Sequence, residues 1–216
     1  MAGSPVRARF MAIALSGLLP AALIGTATSS ASAAVTPGVR LVAGSSSAEV
    51  HLARRGNYSI HFRALVASTG GAFELWAQRA TYADPVTLSQ VVRDASGDVT
   101  DTLSIPGVPE PQLQRGLPAF IQTSLTEQDG TPIKDAVRTF CPNSYYQERL
   151  DDNGPDVPQY PIGCWASPLT RGAVWGIDEG WGSDARLSVG QNLRVEEGEY
   201  KLTVSIAEPY RTALGV

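Results

Sequence analysis

Alternation of apolar and polar residues constrains this chain more than any other feature. In NYSIHFRALVAS, residues 57–68, Tyr58, Ile60, Phe62, Ala64 and Val66 face one way, and Ser59, His61 and Arg63 face the other. EYKLTVSI, residues 199–206, repeats the pattern with Tyr200, Leu202, Val204 and Ile206 against Lys201, Thr203 and Ser205. Side chains that change face at each residue mark a half-buried strand. No window of a dozen residues carries an apolar stripe at helical spacing. Weaker strand candidates are VRLVAG, AEVHLAR, LSQVVRD, AFIQTSLTEQDG and AVRTF. AFELWAQRA follows Gly70-Gly71 and reads as a hairpin partner of the first strand. Asp94–Gly97 and Asp129-Gly130 are turn signals, EGEY turns the chain into its last strand, and SIPGVPEPQLQRGLP is a crossover too short to link domains. The expectation is an all-β fold: an antiparallel, immunoglobulin-like β-sandwich forming a single domain over residues 35–216, with one long disulfide-closed loop.

The compartment follows from the N-terminus. MAGSPVRAR carries two arginines and no acid, FMAIALSGLLPAALIGTA is apolar, and TSSASAA supplies an Ala-x-Ala ending at Ala33. Residues 1–34 therefore read as a secretory signal peptide cleaved after Ala33 or Ala34, and the mature protein as extracellular. Gly17, Pro20 and Gly25 interrupt the apolar run, and no later stretch is long and apolar enough to span a bilayer, so no membrane association is expected after cleavage. The leader holds 2 of the chain's 17 basic residues, which leaves 15 against 21 acidic ones, a net charge of −6. With only two lysines, Lys134 and Lys201, and scattered charges, the chain offers no basic run for nucleic acid.

Secretion bears directly on FCPNSYYQERLDDNGPDVPQYPIGCW, residues 140–165, which holds both cysteines. In an oxidising exterior, two cysteines without a third read as one bridge, Cys141–Cys164; a thiol nucleophile or a metal pair would each need free thiolates. The acids within the loop, Asp151, Asp152 and Asp156 with Asn153, are the available calcium ligands, but they lack EF-hand spacing, and a solvated turn is the simpler reading. Only two histidines are present, His51 and His61, both on outward strand positions and in no zinc or copper spacing. There is no G-x-S-x-G; Asp178 and Glu179, after an apolar strand, offer carboxylates for glycosidase-type chemistry, although surface acids are the default reading. Aromatic residues carry more information. Tyr145, Tyr146, Tyr160, Trp165 and Trp181 cluster in and just beyond the loop and form the candidate surface for a glycan or a protein. Trp175, inside AVWGI, is expected in the core against the bridge; for Trp181 both positions stay open.

FELW…R…YADP, TFCPNSYYQERLDDNGPDVPQYPIGC, GAVWGIDEGW and EGEYKLTVSIAEPYRTALGV, in that order, form a pattern from about Val50 to Val216. It resembles the N-terminal, non-catalytic region of secreted actinobacterial lysyl-oxidase-like proteins, a source that the Arg-rich, Lys-poor composition also fits. The resemblance implies that copper amine oxidase chemistry resides in a separate C-terminal domain, on an H-x-H-x-H ligand set and a cofactor made from lysine and tyrosine. This chain contains no such motif, so only structural features carry over: Cys141 and Cys164, Trp175, Trp181 and the Gly198–Tyr200 turn. The chain stops at YRTALGV, about where an oxidase domain would follow.

The expected function is that of a secreted, non-enzymatic domain with a structural or protein-interaction role and no cofactor. One alternative is a secreted carbohydrate-binding module using the Trp/Tyr surface. Another is the front portion of a truncated copper-dependent amine oxidase. The expected partners are an extracellular protein or glycan, or an attached or separate oxidase domain.

Overall fold

The computed structural model describes residues 7–10, 36–47, 49–51, 58–94, 96–167, 169–185, 187–193, 195–196 and 198–216, with backbone alone for 7–10, 49–51, 58–61 and 188–193. Among them are fifteen strands and one helix. The strands are β1 (Arg7–Phe10), β2 (Gly38–Ala43), β3 (Glu49–His51), β4 (Tyr58–Phe62), β5 (Ala64–Thr69), β6 (Phe73–Gln78), β7 (Thr87–Arg93) and β8 (Val99–Ser104). They continue as β9 (Leu117–Glu127), β10 (Pro132–Phe140), β11 (Gln147–Arg149), β12 (Gly172–Ile177), β13 (Trp181–Asp184), β14 (Leu187–Leu193) and β15 (Glu199–Ile206), and the helix is α1 (Glu208–Leu214). The sheets run β10-β9-β15-β1-β3, β11-β13-β5-β2, β12-β6-β7-β8 and β14-β4. Every pairing is antiparallel except β1 with β15. The fold is all-β, as the alternation predicts.

Local chemistry sets two of the turns. Asp94 Oδ1 accepts the backbone N–H of Ser96 and Asp98, at 2.8 and 3.0 Å, and turns β7 into β8. Asp129 does the same for Thr131 between β9 and β10. The crossover after β8 carries the chain from one sheet to another. One apolar core joins the sheets, with Val66, Phe73, Leu75, Leu117, Ile121 and Trp175 among its buried members. Phe120 stacks on Phe140 with centroids 5.0 Å apart and meets Tyr210 of α1 at 4.9 Å. Tyr210 is fully buried, and its hydroxyl donates to the Pro118 carbonyl at 2.9 Å.

Two expectations about the first long strand need correction. The stretch from Tyr58 to Thr69 is not one alternating strand but two, β4 and β5, separated at Arg63. Residues Ala64 to Ser68 are all buried, so β5 has no solvent face; it lies inside its sheet between β13 and β2. The second correction concerns the glycine pair. Gly70-Gly71 does not close a hairpin, because β6 pairs with β12 and β7 rather than with β5. Both glycines adopt positive φ, 71° and 128°, and take the chain out of one sheet and into another.

Strand β1 lies within the expected leader, whose other residues are outside those described. It pairs with Glu199 and Tyr200 of β15 and with β3. The expected cleavage after Ala33 or Ala34 would remove it and leave β9 as the neighbour of β15 in this sheet.

Candidate binding surface at the disulfide-tied loop

Cys141 and Cys164 are bonded, with Cα atoms 5.7 Å apart and the two residues 23 positions apart in sequence. The segment that they enclose is fastened along its length. Leu150 N–H donates to the Gly180 carbonyl at 2.8 Å, and Trp181 Nε1 donates to the Pro155 carbonyl at 2.9 Å. Gln159 N–H donates to Asp178 Oδ2 at 2.7 Å, and the Tyr160 hydroxyl donates to Glu74 Oε2 at 2.9 Å. Two close approaches require glycine. A Cβ on Gly154 would overlap the Glu179 carbonyl oxygen, and one on Gly176 would fall within the Tyr160 ring. Asn143, buried beside the bridge, accepts from Gly176 N–H at 2.7 Å and donates to the Val174 carbonyl at 3.1 Å. Its side-chain amide thus takes the place of a neighbouring strand on the outer edge of β12.

The acid cluster is organised around a guanidinium. Arg149 pairs with Asp156 at 3.0 Å and Asp152 at 3.5 Å, and its Nε donates to the Asp151 carbonyl at 3.1 Å. Asp151 Oδ1 is occupied by Asn153 N–H at 2.9 Å. A calcium ion held by Asp151, Asp152, Asn153 and Asp156 would have to displace that cation. Among the described residues no group of three or more His, Cys, Asp or Glu side chains is placed to hold a metal. The side chains of His51 and His61 lie outside the described residues.

Beneath the loop, Glu74 gathers four donors. Trp76 Nε1 and Arg93 Nη2 donate to its Oε1, both at 2.7 Å, while Arg93 Nε at 2.8 Å and Tyr160 reach Oε2. Burial alone would raise the Glu74 pKa, but the bonds from Arg93, Trp76 and Tyr160 outweigh it and hold the carboxyl below the usual glutamate range. Burial, reinforced by the Glu74 charge, pushes the Tyr160 hydroxyl far up, so it remains a donor. Burial also raises Asp178, against the backbone N–H groups that it accepts. Asp178 is shielded from solvent and Glu179 is exposed, so the pair does not converge on one site.

The lowered pKa fixes a sign. Stability from Glu74 is complete above the ordinary glutamate value of 4.5 and is lost as the pH falls through the lowered folded value. Urea unfolding of Glu74→Gln beside the wild type is therefore expected to show its widest gap near neutral pH. The gap narrows in the acid range; one that widens there contradicts the assignment.

The structure divides the five aromatic candidates. Trp165 is 75% exposed, and Tyr145 and Tyr146 are also exposed. Trp181 is only 9% exposed, and Tyr160 is half-buried over Gly176; both are committed to fastening the loop, not to its surface. Trp175 is in the core at 1%. Tyr145 and Trp165 flank the bridge and meet edge to face, with centroids 6.5 Å apart, and the indole Nε1 donates to the Tyr145 hydroxyl. Gly163, at a φ of 84°, lies beneath both rings, where a Cβ would press on the indole. The pair stands at a cleft of about 490 Å³ whose walls include Gln114, Arg115, Arg138, Thr139 and Asp184. A second cleft of about 410 Å³ shares Gln114 and Arg115 and adds Arg79 and Ser167.

Comparison with protein-family models, with curated proteins and with solved structures gave no match. The surface is therefore read from its geometry. Sequence reasoning missed Glu74 and the three arginines. Glu74 sits between Phe73 and Leu75 as an ordinary outward residue would, and Trp76, Arg93 and the returning Tyr160 cover it. Arg79, Arg115 and Arg138 come from three separate segments and carry no shared sequence signal.

Proposed function

We propose that this protein is a secreted binding domain without catalysis of its own, and that the Tyr145–Trp165 cleft is its contact surface. The observation that carries this reading is the exposure of Trp165 on a fixed base. The indole covers little of its own protein, yet the bridge, Gly163 and the Tyr145 hydroxyl hold it in place. Exposed aromatics on a preorganised support are what binding surfaces use, because little ordering cost remains on contact. The disulfide fits an oxidising exterior, which supports the secretory reading of residues 1–34. The single shared core supports an immunoglobulin-like sandwich as the finer architecture. On the lysyl-oxidase-like resemblance, the accessory role would be to present this surface beside an oxidase domain.

The test is binding of the purified mature protein to arrays of glycans and of extracellular proteins, with Trp165→Ala in parallel. Trp165→Ala is expected to leave stability within about 0.5 kcal/mol, since the ring is on the surface. It is expected to weaken ligand capture about tenfold or more. Blank arrays, or signals indifferent to the substitution, contradict the proposal.

A further inference from the structure

We infer that the two clefts together bind an anionic oligosaccharide chain, carboxylated or sulfated, with one sugar ring on Trp165. The inference rests on the binding-domain reading and names its ligand class. The first observation is shape. The clefts share Gln114 and Arg115 as lining, so they adjoin at those two residues. Two adjoining clefts suit several linked units better than one compact ligand.

The second observation is charge. The linings include Arg79, Arg115 and Arg138 but one acid, Asp184. The protein as a whole is acidic, with 21 acidic against 17 basic residues, so this concentration of cations runs against its average. Arg79 is held rigidly: Nη2 donates to the Thr170 carbonyl at 2.9 Å, Nη1 donates to the Tyr82 carbonyl at 3.2 Å, and the guanidinium lies 5.2 Å from the Tyr82 ring centre. Clustered guanidinium groups recognise carboxylate and sulfate oxygens through paired N–H donors.

The third observation is the mix of surfaces. A pyranose presents a C–H face that packs on a flat indole and hydroxyls that need polar partners at its edge. Trp165 offers the first, and Gln114, Thr139 and Ser167 offer the second. An acidic peptide would satisfy the arginines but has no equivalent use for an exposed indole beside hydroxyl and amide side chains.

Titration calorimetry of the mature protein with four probes tests this: a galacturonic acid hexamer, a sulfated galactan hexamer, a neutral galactose hexamer and hexaglutamate. At least one anionic saccharide is expected to bind about tenfold or more tighter than the neutral hexamer and hexaglutamate. That binding should weaken about tenfold in Trp165→Ala and several-fold in Arg115→Gln, an exposed position that leaves the fold alone. It should also weaken as salt is raised. Equal affinity for the neutral hexamer overturns the anionic preference and leaves the binding domain standing. Hexaglutamate binding as tightly as the saccharides overturns the inference in favour of an acidic peptide. Silence from all four probes overturns it too, and the binding-domain reading then survives only if an arrayed ligand still depends on Trp165.

Discussion

Glu74→Ala is expected to destabilise the protein by about 3 kcal/mol, a fall in Tm of roughly 6–12 °C for a domain of this size. The carboxylate receives Trp76, Tyr160 and both Arg93 donors, and removing it leaves a cation and two ring donors without their acceptor. Loss of one member of a fully buried ion pair costs about 3–5 kcal/mol. The lower end applies because the Arg93 side chain is 38% exposed and can turn to water. The effect should spread along the chain. Tyr160 fastens the loop to β6 through Glu74, so loosening around Tyr160 should accompany the loss of stability. Denaturant unfolding measures the first and amide exchange of the loop the second. A change within about 0.5 kcal/mol would show that the four bonds contribute little.

Removing the bridge with Cys141→Ala and Cys164→Ala together is expected to cost roughly 3 kcal/mol, the closure entropy of a loop of this length. The fold itself should persist, with unchanged far-ultraviolet dichroism, because Tyr160, Trp181 and Leu150 still hold the enclosed segment. The contact surface should not survive intact. Tyr145 is four residues beyond Cys141 and Trp165 immediately follows Cys164, so the bridge sets the separation of the two chain stretches that carry the rings. Binding that depends on Trp165 should therefore weaken in the double variant and in reduced wild type alike. Wild-type stability in the double variant contradicts the closure argument. Unchanged binding contradicts the role given to the bridge.

The sequence revealed what local chemistry decides. Period-two alternation marks β15, apolar runs bounded by Asp and Gly mark β7, β9 and β10, and two cysteines in a chain expected to be exported mark their pairing. What remained hidden depends on contacts between distant residues. The burial of β5 on both faces and the break at Arg63 do not show in the local pattern, and the exit at Gly70-Gly71 looks like a hairpin until the partners of β6 are known. Tyr160 reads as a surface ring, and Trp181 stays open between surface and core, because nothing local places Glu74 or the Pro155 carbonyl in front of them. Helix α1 has its own signals, Pro209 in its first turn and Gly215 in a left-handed conformation at its end, but seven residues are too few for a helical stripe. The cation-lined cleft was least legible, since Arg79, Arg115 and Arg138 converge only through the fold.

The segment between the cysteines is proposed as a preformed support for an exposed aromatic pair. Residue-resolved amide exchange of the free, oxidised mature protein tests it most directly. Leu150, Gly163 and Gly176 N–H are bonded within the protein, to Gly180, Asn143 and the Asn143 side chain. They are expected to exchange as slowly as core strand amides such as those of β9, with Gly163 alone speeding up markedly on reduction. Fast exchange at all three in the oxidised protein would mean a mobile loop with no fixed surface, and would contradict the account.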